Sequence, residues 1–363
     1  MLKRVSWTVA VPVLALIALA LTWGEEIGTL PALAEAVLLG GAVLAAVEHA
    51  EVVAHRVGEP LGSLVLAVAV TIIEVALILT LMASGGTEAT TLARDTVFAA
   101  VMLTTNGIAG LSLLLGSRRY GVTVFNAEGS GAALATVTTL ASLSLVLPTF
   151  TTTYPGPEFT PGQLAFAAIA SLVLYLLFVF TQTVRHRDFF LPVAQEGQEF
   201  VFEDGRHADP PSNGAALASL GLLLAALVAV VGLAKAESPA LERVARAAQL
   251  PHSFVGVVIA ALVLLPETLA AVRAARQGRI QISLNLAYGS AIASIGLTIP
   301  AIALASIWIT GPLVLGLGAT QLALLVLTVV ISVLTVVPGR ATRLQGELHL
   351  VVLAAYVFLA ISP

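Results

Sequence analysis

The chain has no cysteine, which excludes disulfides and thiolate metal sites. Charge is scarce too. Asp, Glu, Lys and Arg make up 10% of the 363 residues, against roughly 25% in a typical soluble domain. No basic tract supports nucleic-acid binding, and the net charge of -4 is spread over polar loops. Neither H-x-x-E-H nor H-E-x-x-H occurs, and there is no Walker sequence. Intramembrane proteolysis and ATP-driven pumping therefore lack a motif.

What fills the space is apolar. Hydrophobic residues reach 58% and mean hydropathy is +1.00. A soluble protein of this length needs a polar exterior that this composition cannot supply. Long uninterrupted apolar runs also exclude an outer-membrane barrel, whose strands do not need them. The fold class expected is an all-α polytopic membrane protein.

Eleven spans are readable. The first follows MLKR; its apolar run is too long for a signal peptide and no clear cleavage site follows, so it reads as a retained helix. The others fall near 30–49, 61–83, 96–116, 130–150, 163–184, 214–234, 251–272, 281–306, 311–337 and 346–361, most with the roughly 20 residues needed to cross 30 Å of hydrocarbon. Residues 280–339 carry no charge, and the run is divided near Pro312, with Pro300 inside a span. His349 lies near the start of the last span, which is expected to begin at the interface.

Loop charges orient the chain. With the N-terminus in the cytoplasm, inside loops collect Lys3, Arg4, Arg56, Arg118, Arg119, Arg185, Arg187, Arg206, Arg273, Arg276, Arg279, Arg340 and Arg343. Outside loops hold only Arg94, Lys235, Arg243 and Arg246, a clear positive-inside bias that puts the C-terminus outside. The longest polar stretch, residues 185–213, divides spans two to six from spans seven to eleven. Five is odd, so two homologous five-span units enter the membrane from opposite sides, the inverted-repeat plan of many secondary transporters. The organisation expected is an extra helix (1–24), a first repeat (25–184), a cytoplasmic linker (185–213) and a second repeat (214–363).

Two glutamates stand out. Glu74 lies in T71-IIEVALI and Glu267 in L265-PETLAAV, each inside the second span of its repeat and far from any other ionisable residue. A carboxylate in hydrocarbon costs ~3 kcal/mol or more unless it faces a cavity, a partner or an ion. One such residue in each half suggests a shared ion site. Thr71 lies one turn before Glu74 and can lend it a hydroxyl. Pro266 removes a backbone donor and opens or kinks the helix at Glu267, freeing a carbonyl suited to a hard cation. Against this stands a neutral glutamic acid hydrogen-bonded across a helix interface.

The following spans bring amides and small residues: Asn106 with Gly107 and Gly110, and Asn285, Ser290 and Ser294 with Gly289 and Gly296. Asn106 and Ser290 can offer neutral oxygens to an ion held by the two acids, or simply join helices. Glu48, Glu51 (or Val52) and His55 recur at three- and four-residue intervals near the cytoplasmic end of span two. They read as a proton-access group or an ordinary polar helix end, and His49 and His55 belong to the residue type that titrates near neutrality. Glu35 and Glu128 stand at span ends.

On these residues the chain resembles the cation/proton exchanger branch of the calcium/cation antiporter superfamily, most of all bacterial calcium/proton and sodium-potassium/proton antiporters of the ChaA type. The matching pieces are residues 50–78, 93–116 and 265–300, with the basic segment after span six, over most of residues 45–340. The resemblance implies an extra first helix and two inverted five-span repeats. It implies a cation site at Glu74 and Glu267, with Asn106 and Ser290 in companion helices. Two departures stand out. The usual Gly-Asn-Ala before the first acid reads Thr71-Ile72-Ile73, and the usual Asn-Ala-x-Glu-His reads Leu264-Leu265-Pro266-Glu267-Thr268.

The function expected is secondary active antiport: export of a cation against protons by alternating access, with no enzymatic step and no cofactor. The ions rank Ca²⁺ first, Na⁺ and K⁺ second, and Mg²⁺ last, because Mg²⁺ gives up water reluctantly. A passive cation channel is the nearest rival, and a membrane enzyme or scaffold a more distant one. Partners are inorganic cations, protons and the lipid bilayer of a cell inner membrane.

Overall fold

In the computed structural model, which describes all residues except 1–5, 25–27, 59–60, 85–89, 194–209, 248–250, 309–310 and 363, the chain divides into two units.

The first unit holds residues 1–89 and 205–252. It contains α1 (Trp7–Thr22), α2 (Thr29–Val57), α3 (Leu61–Ser84) and α9 (Asn213–Ala247). The long helix α2 packs on all three of the others. It runs eight residues past the expected end at 49, since polar residues alone do not stop a helix. It stops at Gly58, whose N–H caps the Ala54 carbonyl. Arg56 Nε donates to Asn213 Oδ1 at 2.8 Å, tying the end of α2 to the start of α9 and making them antiparallel.

The second unit holds residues 90–204 and 253–363. Its elements are α4 (Leu92–Met102), a π-helical turn (Leu103–Ile108) and α5 (Ala109–Tyr120) in one continuous span, then β1 (Val122–Val124). Next come α6 (Ala127–Ala141), a second π turn (Ser142–Val146), α7 (Leu147–Phe150) and α8 (Pro161–Phe180). After the linker follow α10 (His252–Val263), α11 (Leu265–Arg276), α12 (Ile280–Ala305), α13 (Ala319–Val336), β2 (Arg340–Thr342) and α14 (Arg343–Ile361).

Within this unit α12 is central and packs on α4, α5, α6, α8 and α11. The crossing of α5 and α14 is closest at Gly110 and Gly346. A Cβ on Gly346 would sit 2.6 Å from the Leu114 nitrogen, and one on Gly110 2.8 Å from the His349 Cβ. Only hydrogen fits on either side, the usual device of helices that associate without a hydrophobic drive.

Two short antiparallel pairings close the unit. β1 pairs with β2, Val122 opposite Thr342. Glu158 bridges to Val314 at the other end of α6–α7. When spans two to six are matched in order with spans seven to eleven, these two pairings exchange places, as inverted repeats require.

Among the described residues, nine helices are long and apolar enough to cross a membrane. A bent pair, Ser253–Val263 with Leu265–Arg276, makes a tenth span broken by 55°, and Trp7–Thr22 is a shorter apolar helix. These eleven segments match the eleven read from the sequence. Boundaries move: beyond the longer α2, α9 runs to Ala247 rather than ending near 234, and span ten begins at Ala319, not near 311. Residues 311–318 are extended, with Gly311 at φ +140°, and Gly316 N–H and Leu317 N–H donate to Pro157 and Leu145 carbonyls. Apolar composition concealed a glycine- and proline-rich loop. Lys3, Arg4 and Arg206, counted for orientation, lie outside the described residues.

Candidate functional site

Helix α3 carries Thr71 and Glu74 three residues apart, which puts both on one face. Both side chains are buried, Glu74 to 4% exposure. No charged residue shares the helix. A carboxylate held this way in a membrane helix is a candidate functional residue.

Glu267 stands in the first turn of α11, directly after the break. Leu264 leaves helical geometry at φ -85°, ψ 1°, and Pro266 follows at the start of the new helix. The expected opening of the helix at Pro266 is therefore observed, one turn ahead of the acid. The first backbone N–H groups of a helix have no intrahelical partners and carry partial positive charge. A half-buried carboxylate at this position is stabilised by that charge, and a discontinuous span is where transporters hold ions.

Asn106 is completely buried in the π turn between α4 and α5. Its Nδ2 donates to Thr328 Oγ1 on α13 at 2.9 Å, and its Oδ1 accepts from His349 Nδ1 on α14 at 3.0 Å. His349 is not interfacial as expected but entirely buried. Its buried surroundings come from α5, α13 and the π turn, which close over a residue whose sequence neighbours are a span's first turns. Ser290 is half-buried on α12. In this unit, then, Asn106, Ser290 and Glu267 lie on a π turn, a central helix and a broken helix. Glu74 and Thr71 belong to the first unit.

Some other candidates make structural contacts. Asn285 Nδ2 donates to the Phe190 carbonyl at 2.7 Å and its Oδ1 accepts from Gln281 at 2.8 Å, which ties α12 to the segment after α8. Glu128 opens α6, where Asn126 Oδ1 accepts its N–H. Glu48, Glu51 and His55 are exposed on α2, while His49 is buried with Nε2 3.0 Å from the Thr8 carbonyl. Glu35, expected at an interface, is buried to 3% exposure, and neither carboxylate oxygen has a partner among the described residues.

Sequence reasoning missed His349, Thr328, Thr335 and Asp95. A histidine within an apolar span was the available signal for the first. Asp95 accepts from Arg94, Thr91 and Gln321, so its pairing is complete.

Comparison with known proteins follows this geometry. The sodium/calcium exchanger protein family matches residues 30–184 and 218–362. A protein of Sinorhizobium fredii (strain NBRC 101917 / NGR234), named as a provisional ionic transporter, y4hA, is 43% identical over 98% of this chain and 96% of its own. The sodium-potassium/proton antiporter ChaA of Escherichia coli (strain K12) is 35% identical over 95% of this chain and 93% of its own. The solved structure of native YfkE superposes with a TM-score of 0.70 at 16% identity, covering 98% of this chain and 99% of that one. A crystal structure of the H⁺/Ca²⁺ exchanger CAX gives 0.68 at 18% identity, covering 97% and 91%. Two matched halves, two long relatives and a shared fold place the chain in the sodium/calcium exchanger protein family, in its cation/proton exchanger branch.

Proposed function

We propose that this protein is a secondary active antiporter that exports a cation, Ca²⁺ first, in exchange for protons by alternating access. Glu74 and Glu267 are its coupling acids, with Thr71, Asn106 and Ser290 supplying neutral ligands. The observation that carries the reading is the pair of acids on spans three and eight: one buried on an unbroken apolar helix, the other at the start of a half-helix. Protons and a metal cation compete for such carboxylates. Two ionised carboxylates balance a divalent cation without protonation, and in its absence like charges and desolvation favour protons. An empty, charged site crosses the barrier poorly, so exchange is obligatory.

Glu48, Glu51 and His55, exposed together on α2, are the proton-access group in this scheme. The chain sits as a multi-pass protein in the inner or plasma membrane, N-terminus cytoplasmic and C-terminus outside, on the strength of the basic loops. The second reading, Na⁺ or K⁺ in place of Ca²⁺, is favoured by the missing amides before Glu74 and by the name of the E. coli relative. The CAX name favours Ca²⁺.

The test uses purified protein in liposomes with a trapped pH dye. Micromolar to low-millimolar Ca²⁺ is expected to dissipate an imposed ΔpH, and Glu74→Gln and Glu267→Gln to abolish this at normal protein abundance. A response to Na⁺ or K⁺ alone replaces the ion and keeps the mechanism. Full exchange by either variant removes that acid from the scheme, and no response to any cation from folded protein ends it. Cation flux without proton counterflow makes it a channel.

A further inference from the structure

We infer that His349 is a positioning residue for cation binding, one that fixes the orientation of the Asn106 amide and with it the single lone pair Asn106 has left to give. The inference rests on the proposed exchange function, in which Asn106 belongs to the ion site.

His349 Nδ1 lies 3.0 Å from Asn106 Oδ1. An amide oxygen only accepts, so Nδ1 carries the proton and Nε2 of the neutral ring is left as an acceptor. Nε2 lies 3.4 Å from Thr335 Oγ1, whose hydroxyl donates to it. On the amide's other side, Nδ2 donates to Thr328 Oγ1 at 2.9 Å and reaches Thr105 Oγ1 at 3.4 Å. Both amide hydrogens are thus committed. Oδ1 has two lone pairs, one of them taken by His349, so the other is all that Asn106 can offer a ligand.

Thr328 and Thr335 stand seven residues apart on α13, two turns along one face. The amide and the imidazole are therefore strung end to end between two hydroxyls of a single helix. Turning the amide over would set its NH₂ against Nδ1 and withdraw the oxygen, and the ring could accept it only by moving its proton to Nε2 and making Thr335 the acceptor. It would also turn Oδ1 toward Thr105 Oγ1, whose hydroxyl already donates to the Val101 carbonyl, and two acceptors facing each other in a buried site are unfavourable. In its Nδ1–H form His349 thus holds the amide with Oδ1 toward the ring, and neither group turns without the other. The π turn adds to this, because it places Asn106 out of α-helical register with its neighbours and so depends on side-chain partners to aim it.

The experiment is cation-driven proton flux in proteoliposomes, titrated with Ca²⁺ and, if Ca²⁺ gives no flux, with K⁺. His349→Leu removes the donor, whereas His349→Asn keeps a side-chain N–H near the place of Nδ1. His349→Leu is expected to raise the apparent KM about tenfold, the worth of one buried hydrogen bond, with Vmax changed less than about twofold. His349→Asn should hold KM within about threefold, and in an Asn106→Ala background His349→Leu should add less than about twofold. A folded His349→Leu protein with unaltered KM overturns the inference, as does an effect undiminished by Asn106→Ala.

A second measurement needs no transport. In ¹⁵N spectra of histidine-labelled protein, the imidazole signal lost in His349→Asn is expected to report Nδ1–H; an Nε2–H tautomer refutes the arrangement. If Glu74→Gln and Glu267→Gln are both fully active, it is the exchange mechanism that fails. If both are dead while His349→Leu keeps its KM, only the role of His349 fails.

Discussion

Replacing Asp95 by leucine removes the acceptor at the centre of a buried polar cluster. Asp95 takes bonds from Arg94 Nε and Nη2 at 2.9 and 2.8 Å, from Thr91 Oγ1 at 2.9 Å and from Gln321 Nε2 at 3.2 Å. Arg94 Nη1 also reaches the Gly316 carbonyl at 3.3 Å, so the cluster joins α4 to the loop before α13 and to α13 itself. Breaking a buried pair from one side costs about 3–5 kcal/mol. The Arg94 side chain is 16% exposed, so partial hydration puts its share at the lower end, about 3 kcal/mol. Thr91 and Gln321 lose one neutral-donor bond each to the carboxylate, which water partly replaces, adding about 1 kcal/mol together. Asp95→Leu is expected to cost about 4 kcal/mol in all. The double variant Arg94→Met/Asp95→Leu leaves no orphaned charge, so it should recover at least about 2 kcal/mol relative to the sum of the single variants. Reversible unfolding in detergent micelles, followed by tryptophan fluorescence, measures the cycle. Additive costs, or a single-variant cost below about 0.5 kcal/mol, would refute the reasoning.

If His55 serves proton access, His55→Ala should shift the pH optimum of exchange more than the maximal rate; an unchanged profile makes it an ordinary polar helix end. Glu35 presents two buried oxygens without partners among the described residues, so Glu35→Met is expected to stabilise the protein by about 1 kcal/mol or more, read as a raised unfolding midpoint in micelles. A lowered midpoint would mean that the carboxyl group has a stabilising role.

The spans, the two acids and the helix break at Pro266 were legible in the sequence, because each is a local departure from an otherwise monotonous apolar text. Proline marks a lost donor, and glutamate marks an unfavourable transfer, wherever the chain goes next. The loop at 311–318 was not legible, since its polar content lies in the backbone and hydropathy counts side chains only. The π turns were not legible either; Thr104, Thr105, Asn106 and Gly107 are weak helix formers, but that weakness does not tell a π turn from a strained α-helix. His349 was misplaced for a third reason. Its partner Asn106 lies 243 positions away, and burial of a histidine depends on such distant partners more than on adjacent residues. The pairing of α2 with α9, fixed by Arg56 and Asn213, is equally non-local.

The two strand pairings at opposite ends of the second unit act as latches on its upper and lower rims. Sliding α13 lengthwise past α6 would tear backbone bonds at both rims at once, each worth about 0.5–1.5 kcal/mol. Shear is thereby the expensive deformation. Flexing at points where the α-helical ladder is already interrupted is the inexpensive one. Those points are the π turn that carries Asn106, the π turn after α6 and the break at Leu264 ahead of Glu267. The latches thus channel whatever compliance the unit has toward two residues proposed to hold the ion, so that strain and ligand geometry become the same coordinate.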